Sequence, residues 1–201
     1  YVRRRLVLED DLVRAALAAH GLRGAEKFIQ EVFWRAYFKG WLEHRPQIWV
    51  QYRASLDECL HELSSDPMLA ESVSRAESGK TGLECFDAWV KELVDTGYLH
   101  NHARMWFASI WIFTLKLPWQ IGADFVLRHL LDGDPASNHL SWQWVAGTFS
   151  AKPYLFNREN LETFTSGSHC GGCPLFGCCE VEGSYDDLAA RRWWSFGALA
   201  R

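Results

Sequence analysis

The sequence has no excess of positive charge and few cysteines, and each shortage excludes a class of protein. Its 21 Lys and Arg residues against 25 Asp and Glu residues leave a formal net charge of −4 over 201 residues. The chain therefore lacks the overall basicity of proteins that coat nucleic acid, although a local basic surface is compatible with it. Six cysteines are too few for a small fold held together by disulfides.

Long hydrophobic segments are also missing. The longest apolar run extends only from Met105 to Phe113, whereas a helix needs about 20 residues to cross a bilayer. No charged and apolar leader opens the sequence, so nothing points to secretion. We therefore expect an intracellular, cytoplasmic protein that does not bind membranes.

Apolar residues instead recur at spacings of three and four along most of the chain, which predicts an all-α fold. Two capping boxes, Ser55 with Glu58 and Thr81 with Glu84, mark predicted helix starts. No useful segment alternates at period two, so a sheet has little support. The predicted helices span 9–20, 24–44, 55–63, 83–96, 99–117 and 118–131, and the predicted loops span 64–67, 78–82, 132–141 and 165–183. We expect the 99–117 helix to be buried, because it is apolar nearly all round.

The C-terminal segment is irregular and contains four cysteines within ten residues, Cys170, Cys173, Cys178 and Cys179. A Cys-x-x-Cys pair lets two thiolates reach one metal, and four thiolates suit zinc or an iron–sulfur cluster. The adjacent Cys178 and Cys179 point apart, and no second pair lies far away in the sequence. The spacing therefore favours a flexible tail with free thiols or a disulfide, and leaves a metal site as the alternative.

Four ordered segments carry the functional information of the sequence. They are Gly79–Gly82, Thr96–Met105, Asp132–Asn138 and Trp142–Trp144. In order and spacing they resemble the flavin-binding helical domain of the DNA photolyase and cryptochrome family, whose patterns are approximately G-K-T-G, T-G-[WY]-[ML]-H-N-x-x-R-M, D-G-D-x-A-x-N and W-Q-W. Upstream, Glu31–Arg35 resembles the E-x-x-W-R helix of the family.

The resemblance extends over residues 1–165, which we expect to form the FAD-binding helical domain, with 166–201 as a Cys- and Gly-rich extension. The family's Ser/Thr loop for the flavin pyrophosphate would precede Tyr1, and its N-terminal antenna domain is not in the sequence. The resemblance therefore implies a short form without the antenna domain.

The resemblance implies FAD as the cofactor and assigns residues to it. Asn138 would face N5 of the flavin, where an amide can donate or accept a hydrogen bond as the oxidation state changes. A buried pair of Arg104 and Asp132 would lie beside the ring, and such a pair can equally be structural. Asp134 and Arg35 complete the implied cofactor-binding set.

The resemblance also implies light-driven repair of cyclobutane pyrimidine dimers in DNA, by electron transfer from excited reduced flavin to a flipped-out lesion. Trp34 and Trp144 would stack on the lesion, which offsets the cost of flipping it. Glu31 and Asn101 would hydrogen-bond to it, and Met105 would contact it. On periodicity alone, core packing explains Trp34 and Trp144 equally well.

Eleven tryptophans suggest a further use, because the family photoreduces its flavin through a chain of aromatic residues. Trp142 resembles the inner member of that chain and Trp119 the middle one. The usual outer Trp would fall near Asp66, where there is none. The chain is therefore broken or continues through another aromatic residue, such as Trp49, Tyr52 or Trp111.

Two departures from the family pattern bear on DNA binding. His102 stands at a position that is often Arg in dimer-repairing members, and its imidazole donates a second hydrogen bond only when protonated. A positive face would need the basic residues of the N-terminal third, namely Arg3, Arg4, Arg5, Arg35, Lys39, Arg45 and Arg53.

Two other functions stay open beside repair. One is a cryptochrome-like blue-light receptor that binds FAD and signals through a protein partner, for which the C-terminal tail is a candidate surface. The other is a degenerate module that keeps the fold without flavin. The complete dimer-binding set favours the repair enzyme.

Overall fold

The structure is a computed structural model that describes residue 2 and residues 5–149, 152–167, 170 and 172–192. Within these ranges the chain is helical and forms no strand, which confirms the all-α prediction. Tyr1, Arg3 and Arg4 of the opening segment lie outside the described residues. The helices are α1 (Glu9–Glu43), α2 (Pro46–Ser65), α3 (Pro67–Glu77), α4 (Glu84–Thr96), α5 (Asn101–Ser109), α6 (Trp119–His129), α7 (Pro135–Ala146), α8 (Arg158–Thr165) and α9 (Tyr185–Arg192). No helix in the described part is long and apolar enough to span a membrane.

Helix α1 is broken at Gly21, as the sequence predicts. Gly21 has φ 65° and ψ 175°, a conformation that residues with a Cβ atom seldom adopt. The helix resumes after it and carries Val32 into the interior. Its first turn contains the acidic residues Glu9, Asp10 and Asp11. Their negative charges interact favourably with the positive, N-terminal end of the helix dipole.

The core surrounds α5 and the π-helical turn that follows it, Ile110–Thr114. Phe107, Ile110, Trp111 and Ile112 are fully buried, which confirms the predicted burial of this segment. The Leu115 N–H donates to the Ile110 carbonyl at 2.9 Å. A bond between residues five apart in the sequence is typical of a π turn. This turn lets the indole N–H of Trp111 reach the Pro118 carbonyl at 2.9 Å, so the buried donor is satisfied.

Both predicted capping boxes are wrong. Ser55 lies inside α2, where its hydroxyl donates to the Tyr52 carbonyl at 3.0 Å. The helix starts nine residues earlier, at Pro46, because proline is well suited to the first turn. Before α4, the carboxylate of Asp87 accepts the N–H groups of Thr81 and Gly82, both at 3.0 Å, so Asp87 and not Glu84 orders this turn.

The predicted loop at 132–141 is also wrong, because α7 begins at Pro135. Asp134 is its N-cap and accepts the Ser137 N–H at 3.1 Å. The helix ends at Gly147, whose φ of 74° is left-handed. Helix α7 packs against α1, α5 and α6.

The C-terminal segment does not form the flexible tail that the sequence favours. The residues before α9 form turns, so the prediction of irregular structure is correct there. Val181 and Leu188, however, are buried in the same hydrophobic core as the preceding helices. The Arg158 N–H donates to the Val181 carbonyl at 3.1 Å and ties α8 to this stretch. Residues 168, 169, 171 and 193–201 lie outside the described residues.

Close packing at Gly122 leads to the first prediction. A Cβ atom there would lie 2.5 Å from the Trp142 ring and 2.8 Å from the Trp111 ring, both of which are held in the core. We expect Gly122→Ala to destabilise the protein by about 1–3 kcal/mol through overpacking. Urea unfolding followed by circular dichroism measures this change.

Gly40 provides the matched control, since it lies in α1 and a Cβ atom there would meet nothing within 4 Å. Gly40→Ala should raise the free energy of unfolding by roughly 0.4–1 kcal/mol, because alanine restricts the unfolded chain. Equal stability of the two variants would contradict the assigned packing between α6 and α7.

Candidate functional site

A buried carboxylate holds the N-terminal end of α7 against α1. Both Arg35 Nη2 and Lys39 Nζ lie 3.2 Å from Asp134 Oδ2. Burial alone would raise the pKa of the Asp134 carboxyl, but the Ser137 N–H and the two cations outweigh it, so the pKa lies below its usual value. Asp134 is therefore charged at neutral pH and fixes the positions of two cations.

Arg35 is held between two carboxylates. Its Nε lies 3.5 Å from Glu9 Oε1 and its Nη2 lies 3.2 Å from Asp134 Oδ2, although neither contact has the geometry of a hydrogen bond. The predicted cofactor residues Arg35 and Asp134 therefore lie together, as an ion pair between α1 and the start of α7.

Asn138 follows one turn later on α7. Its Nδ2 donates to the Ala123 carbonyl of α6 at 2.8 Å, which fixes the side-chain orientation. The carbonyl oxygen and the second N–H of the amide keep their capacity to bond a ligand. The local geometry therefore suits the donor-or-acceptor role that the sequence suggests for this residue.

Arg104 and Asp132 form the predicted pair, but the expectation that the pair is buried is wrong. Arg104 Nη2 lies 3.2 Å from each Asp132 oxygen, and the Asp132 side chain is 59% exposed. Asp132 is at an exposed position of the loop that precedes the first residue of α7, Pro135. Arg104 Nε also donates to the Leu99 carbonyl at 2.8 Å, which orients the guanidinium.

The predicted dimer-binding residues are largely at the surface. Trp34 is 52% exposed on α1, one turn after the exposed Glu31. Its ring packs edge-on to Tyr37 at 5.6 Å and against Phe38 at 5.7 Å. Core packing therefore does not explain Trp34, and the aromatic surface on this helix is available to a ligand.

Trp144 is similar, with 40% of its surface exposed. Its ring stacks on Tyr154 at 5.4 Å, a partner that the sequence motifs do not reveal. On α5, Asn101 is exposed at the first turn, whereas Met105 is half-buried and packs on the core. Because α7 packs against both α1 and α5, these residues belong to adjoining elements.

The two predicted electron-transfer residues lie in aromatic clusters. Trp142 is buried and contacts Trp111 edge-on, with ring centroids 6.4 Å apart. Trp119 stacks on Tyr52 at 5.4 Å, and Tyr52 lies 5.3 Å from Trp49. Of the alternatives named for the outer position, Trp49 is half-buried near the surface and Trp111 is fully buried.

The sequence places Lys39 only among the residues of a candidate positive face and does not single out His139. Lys39 instead pairs with Asp134, and its place one turn after Arg35 is the signal that could have indicated this. His139 is fully buried, with its ring 4.4 Å from Tyr52 and 5.7 Å from Trp119. Burial lowers the pKa of His139 to about 4, and neither ring nitrogen has a hydrogen-bond partner.

Comparisons with known proteins agree with these features. A family model described as the FAD binding domain of DNA photolyase matches residues 28–166. A deoxyribodipyrimidine photo-lyase of Streptomyces griseus is 38% identical over 139 residues, which is 69% of this chain and 29% of that protein. The corresponding enzyme of Thermus thermophilus is 36% identical over 151 residues, covering 74% of this chain and 35% of that protein.

The similarity extends to more distant bacteria, since the deoxyribodipyrimidine photo-lyase of Escherichia coli is 31% identical over 135 residues. These residues are 65% of this chain and 28% of that protein. The matched part of each of these relatives is therefore about a third of its length or less. With the matching family model and the helical architecture, these similarities show that the chain belongs to the DNA photolyase family, in which it corresponds to the FAD-binding helical domain.

Proposed function

We propose that this chain is the FAD-binding, catalytic part of a photolyase that uses blue light to repair cyclobutane pyrimidine dimers in DNA. The observation that carries the proposal is the exposure of Trp34 and Trp144 on α1 and α7, two helices that pack together. Trp34 forms a contiguous aromatic surface with Tyr37 and Phe38, and such exposed apolar patches are typical of binding sites. A flipped pyrimidine pair offers flat faces that such rings can stack on.

Bound FAD would supply the light-excited electron donor for this reaction. Arg35, fixed beside Asp134 on α1, would contribute a positive charge to the cofactor site. Asn138, oriented by the Ala123 carbonyl, would hydrogen-bond to the flavin edge. Arg104 would approach the flavin ring with a positive charge, while Asp132 limits its movement by accepting from Nη2 with both carboxylate oxygens.

The lesion would be held by residues around the two exposed tryptophans. Glu31 would accept a hydrogen bond from an N–H group of the pyrimidine, because an ionised carboxylate is an acceptor only. Asn101, exposed at the start of α5, would supply an amide contact. Met105 would provide an apolar surface whose flexibility tolerates different pyrimidines.

We further propose that Trp142 and Trp119 carry electrons toward the cofactor and that the outer end of this route is Trp49. Tyr52 bridges Trp119 and Trp49 with ring separations of 5.4 and 5.3 Å, which keeps the aromatic rings continuous. Trp49 is partly accessible to solvent, where an external thiol can reduce it. The neutral His139 beside these rings adds no positive charge that would oppose oxidation of Trp119 or Tyr52.

The first test concerns the lesion site. Glu31→Ala and Trp34→Ala should each reduce binding and repair of thymine-dimer DNA about tenfold or more. Trp34 would lose stacking of ~1–3 kcal/mol per base, and Glu31 would lose a charged hydrogen bond of about 1.5–3 kcal/mol. Flavin content of the purified protein should change much less, because neither residue is assigned to the cofactor. DNA titration and light-driven repair measure the first effect, and the flavin spectrum measures the second.

Phe33→Ala is the matched control, because Phe33 is 62% exposed on the same helix and lies about 100° around the helix axis from Trp34. It should leave repair unchanged. If both test variants repaired dimers at the wild-type rate, the repair function would be wrong, and a blue-light receptor that signals through a protein partner would be favoured.

A second test concerns cofactor binding. Arg104→Ala should lower the flavin content of the purified whole protein severalfold, because it removes the charge that would face the flavin. The fold should survive, since the Asp132 carboxylate is largely in water and needs no partner. Arg128→Ala is the control, as it removes an exposed cation that pairs with Asp124 at 2.8 Å. Equal flavin content in both variants would contradict the assignment of Arg104.

The third test concerns the electron route. Trp142→Phe and Trp49→Phe should slow bleaching of the oxidised flavin band under blue light with a thiol, because phenylalanine is much harder to oxidise. Repair after chemical reduction should be normal in both variants. Trp111→Phe should photoreduce normally, since Trp111 is fully buried and leads to no surface outlet. Slowing by Trp111→Phe alone would show that the route ends elsewhere.

A further inference from the structure

Trp144, one of the two residues proposed to stack on the lesion, rests on a support outside the sequence motifs. Its indole stacks on the Tyr154 ring, with ring centroids 5.4 Å apart and an angle of 28° between the ring planes. Tyr154 follows α7 in the chain, and its backbone N–H donates to the Val145 carbonyl at 3.0 Å. The chain therefore folds back on α7 and places the Tyr154 ring against Trp144.

The Tyr154 side chain is also tied to α8. Its hydroxyl donates to Asn160 Oδ1 at 3.4 Å, and the indole N–H of the buried Trp106 donates to the same oxygen at 2.9 Å. The backbone N–H of Asn160 donates to Asn157 Oδ1 at 2.8 Å, which fixes the residue in the first turn of α8. One amide oxygen thus joins α5, through Trp106, to the residue that supports Trp144.

The backbone next to Tyr154 is anchored in the core. Leu155 and Phe156 are buried, and the Phe156 N–H donates to the Ser109 hydroxyl at 2.8 Å. Burial raises the pKa of the Tyr154 phenol above its usual value, so the hydroxyl stays protonated at neutral pH and acts as a donor. The support of Trp144 is therefore fixed, although 40% of the Trp144 surface is exposed.

Such a support matters for a residue that must stack on a ligand. An exposed tryptophan loses rotamer freedom when a ligand orders it, and this loss weakens binding. Two stacked aromatic rings prefer an offset geometry, so contact with Tyr154 restricts the orientations of the Trp144 indole before any ligand arrives. The restriction lowers the entropic cost of binding a flat ligand at Trp144.

We infer that Tyr154 and Asn160 are positioning residues of the lesion site: Asn160 holds the Tyr154 ring, and this ring sets the orientation of Trp144 for stacking on a pyrimidine dimer. The inference rests on the proposed repair function, in which Trp144 contacts the lesion. Because Trp106 follows Met105 on α5, the shared Asn160 oxygen also links the elements that carry two proposed lesion contacts.

The first measurement is the environment of Trp144 in the whole, DNA-free protein labelled with fluorotryptophan. Trp144→Phe identifies the fluorine resonance of this residue by the loss of one signal. Tyr154→Leu should shift that resonance, because the stacked ring is removed, and far-UV circular dichroism should remain that of the wild type. An unchanged Trp144 resonance in Tyr154→Leu would overturn the inference, whatever the DNA measurements show.

The second measurement is the affinity for thymine-dimer DNA and for undamaged DNA of the same sequence. Tyr154→Leu should weaken binding of the dimer DNA about three- to tenfold, without changing flavin content or binding of undamaged DNA. In a Trp144→Ala background, Tyr154→Leu should have no further effect, since it acts only through the indole. Additive effects of the two changes would overturn the inference, because Tyr154 would then act elsewhere.

Milder variants test the role of Asn160. Tyr154→Phe and Asn160→Leu remove the same hydrogen bond and keep the stacked ring, so both should weaken dimer binding less than Tyr154→Leu does. An effect of Tyr154→Phe as large as that of Tyr154→Leu would contradict positioning by the ring. Phe176→Leu is the control, because this exposed ring packs on Arg158 at 4.7 Å, and it should leave the Trp144 resonance and dimer binding unchanged.

Failure of the repair function itself would give a different result. If Trp144→Ala bound thymine-dimer DNA as tightly as the wild type, the assignment of Trp144 to the lesion would be wrong. The inference would then be overturned through the proposed function, even with a shifted fluorine resonance in Tyr154→Leu. An unshifted resonance together with weak dimer binding by Trp144→Ala would instead overturn the positioning role alone.

Discussion

The carboxylate of Asp134 is the interaction on which the arrangement of the candidate site depends. It caps α7 through the Ser137 N–H and simultaneously binds Arg35 and Lys39 of α1. A buried charge is costly unless it is paired, so this contact strongly selects one position of α7 relative to α1. Helix α7 carries Asn138, Trp142 and Trp144, so the residues proposed for the cofactor, for electron transfer and for the substrate depend on the same contact.

Periodicity predicts the interior of this fold better than its boundaries. The segments that form α4, α5 and α6 have continuous apolar faces, and the predicted helices match them to within a few residues. The stretch Asp132–Asn138 is rich in Asp, Gly, Pro, Ser and Asn, which is typical of a loop. The same residue types also begin helices. Here Asp134 is the N-cap of α7 and Pro135 lies in its first turn, so the segment starts a helix and does not continue as a loop.

The residues of the candidate site also fall into two groups. The sequence motifs name the first group, and only the folded structure brings the second together. Residues within contiguous motifs, such as Arg104 and Asn138, can be proposed from the sequence because the resemblance of those motifs to the family assigns them. The pairing of Lys39 with Asp134 and the stacking of Tyr154 on Trp144 arise only when distant segments meet.

The buried His139 has a consequence for the behaviour of the fold in mild acid. Burial lowers its pKa from the usual value of 6.5 to about 4, so between these values the unfolded chain binds a proton that the folded chain excludes. Its contribution to stability is complete above pH 6.5 and declines as the pH falls toward 4. Acidification therefore lowers the free energy of unfolding. The group responsible is the His139 ring, which packs against Trp49, Tyr52 and Trp119.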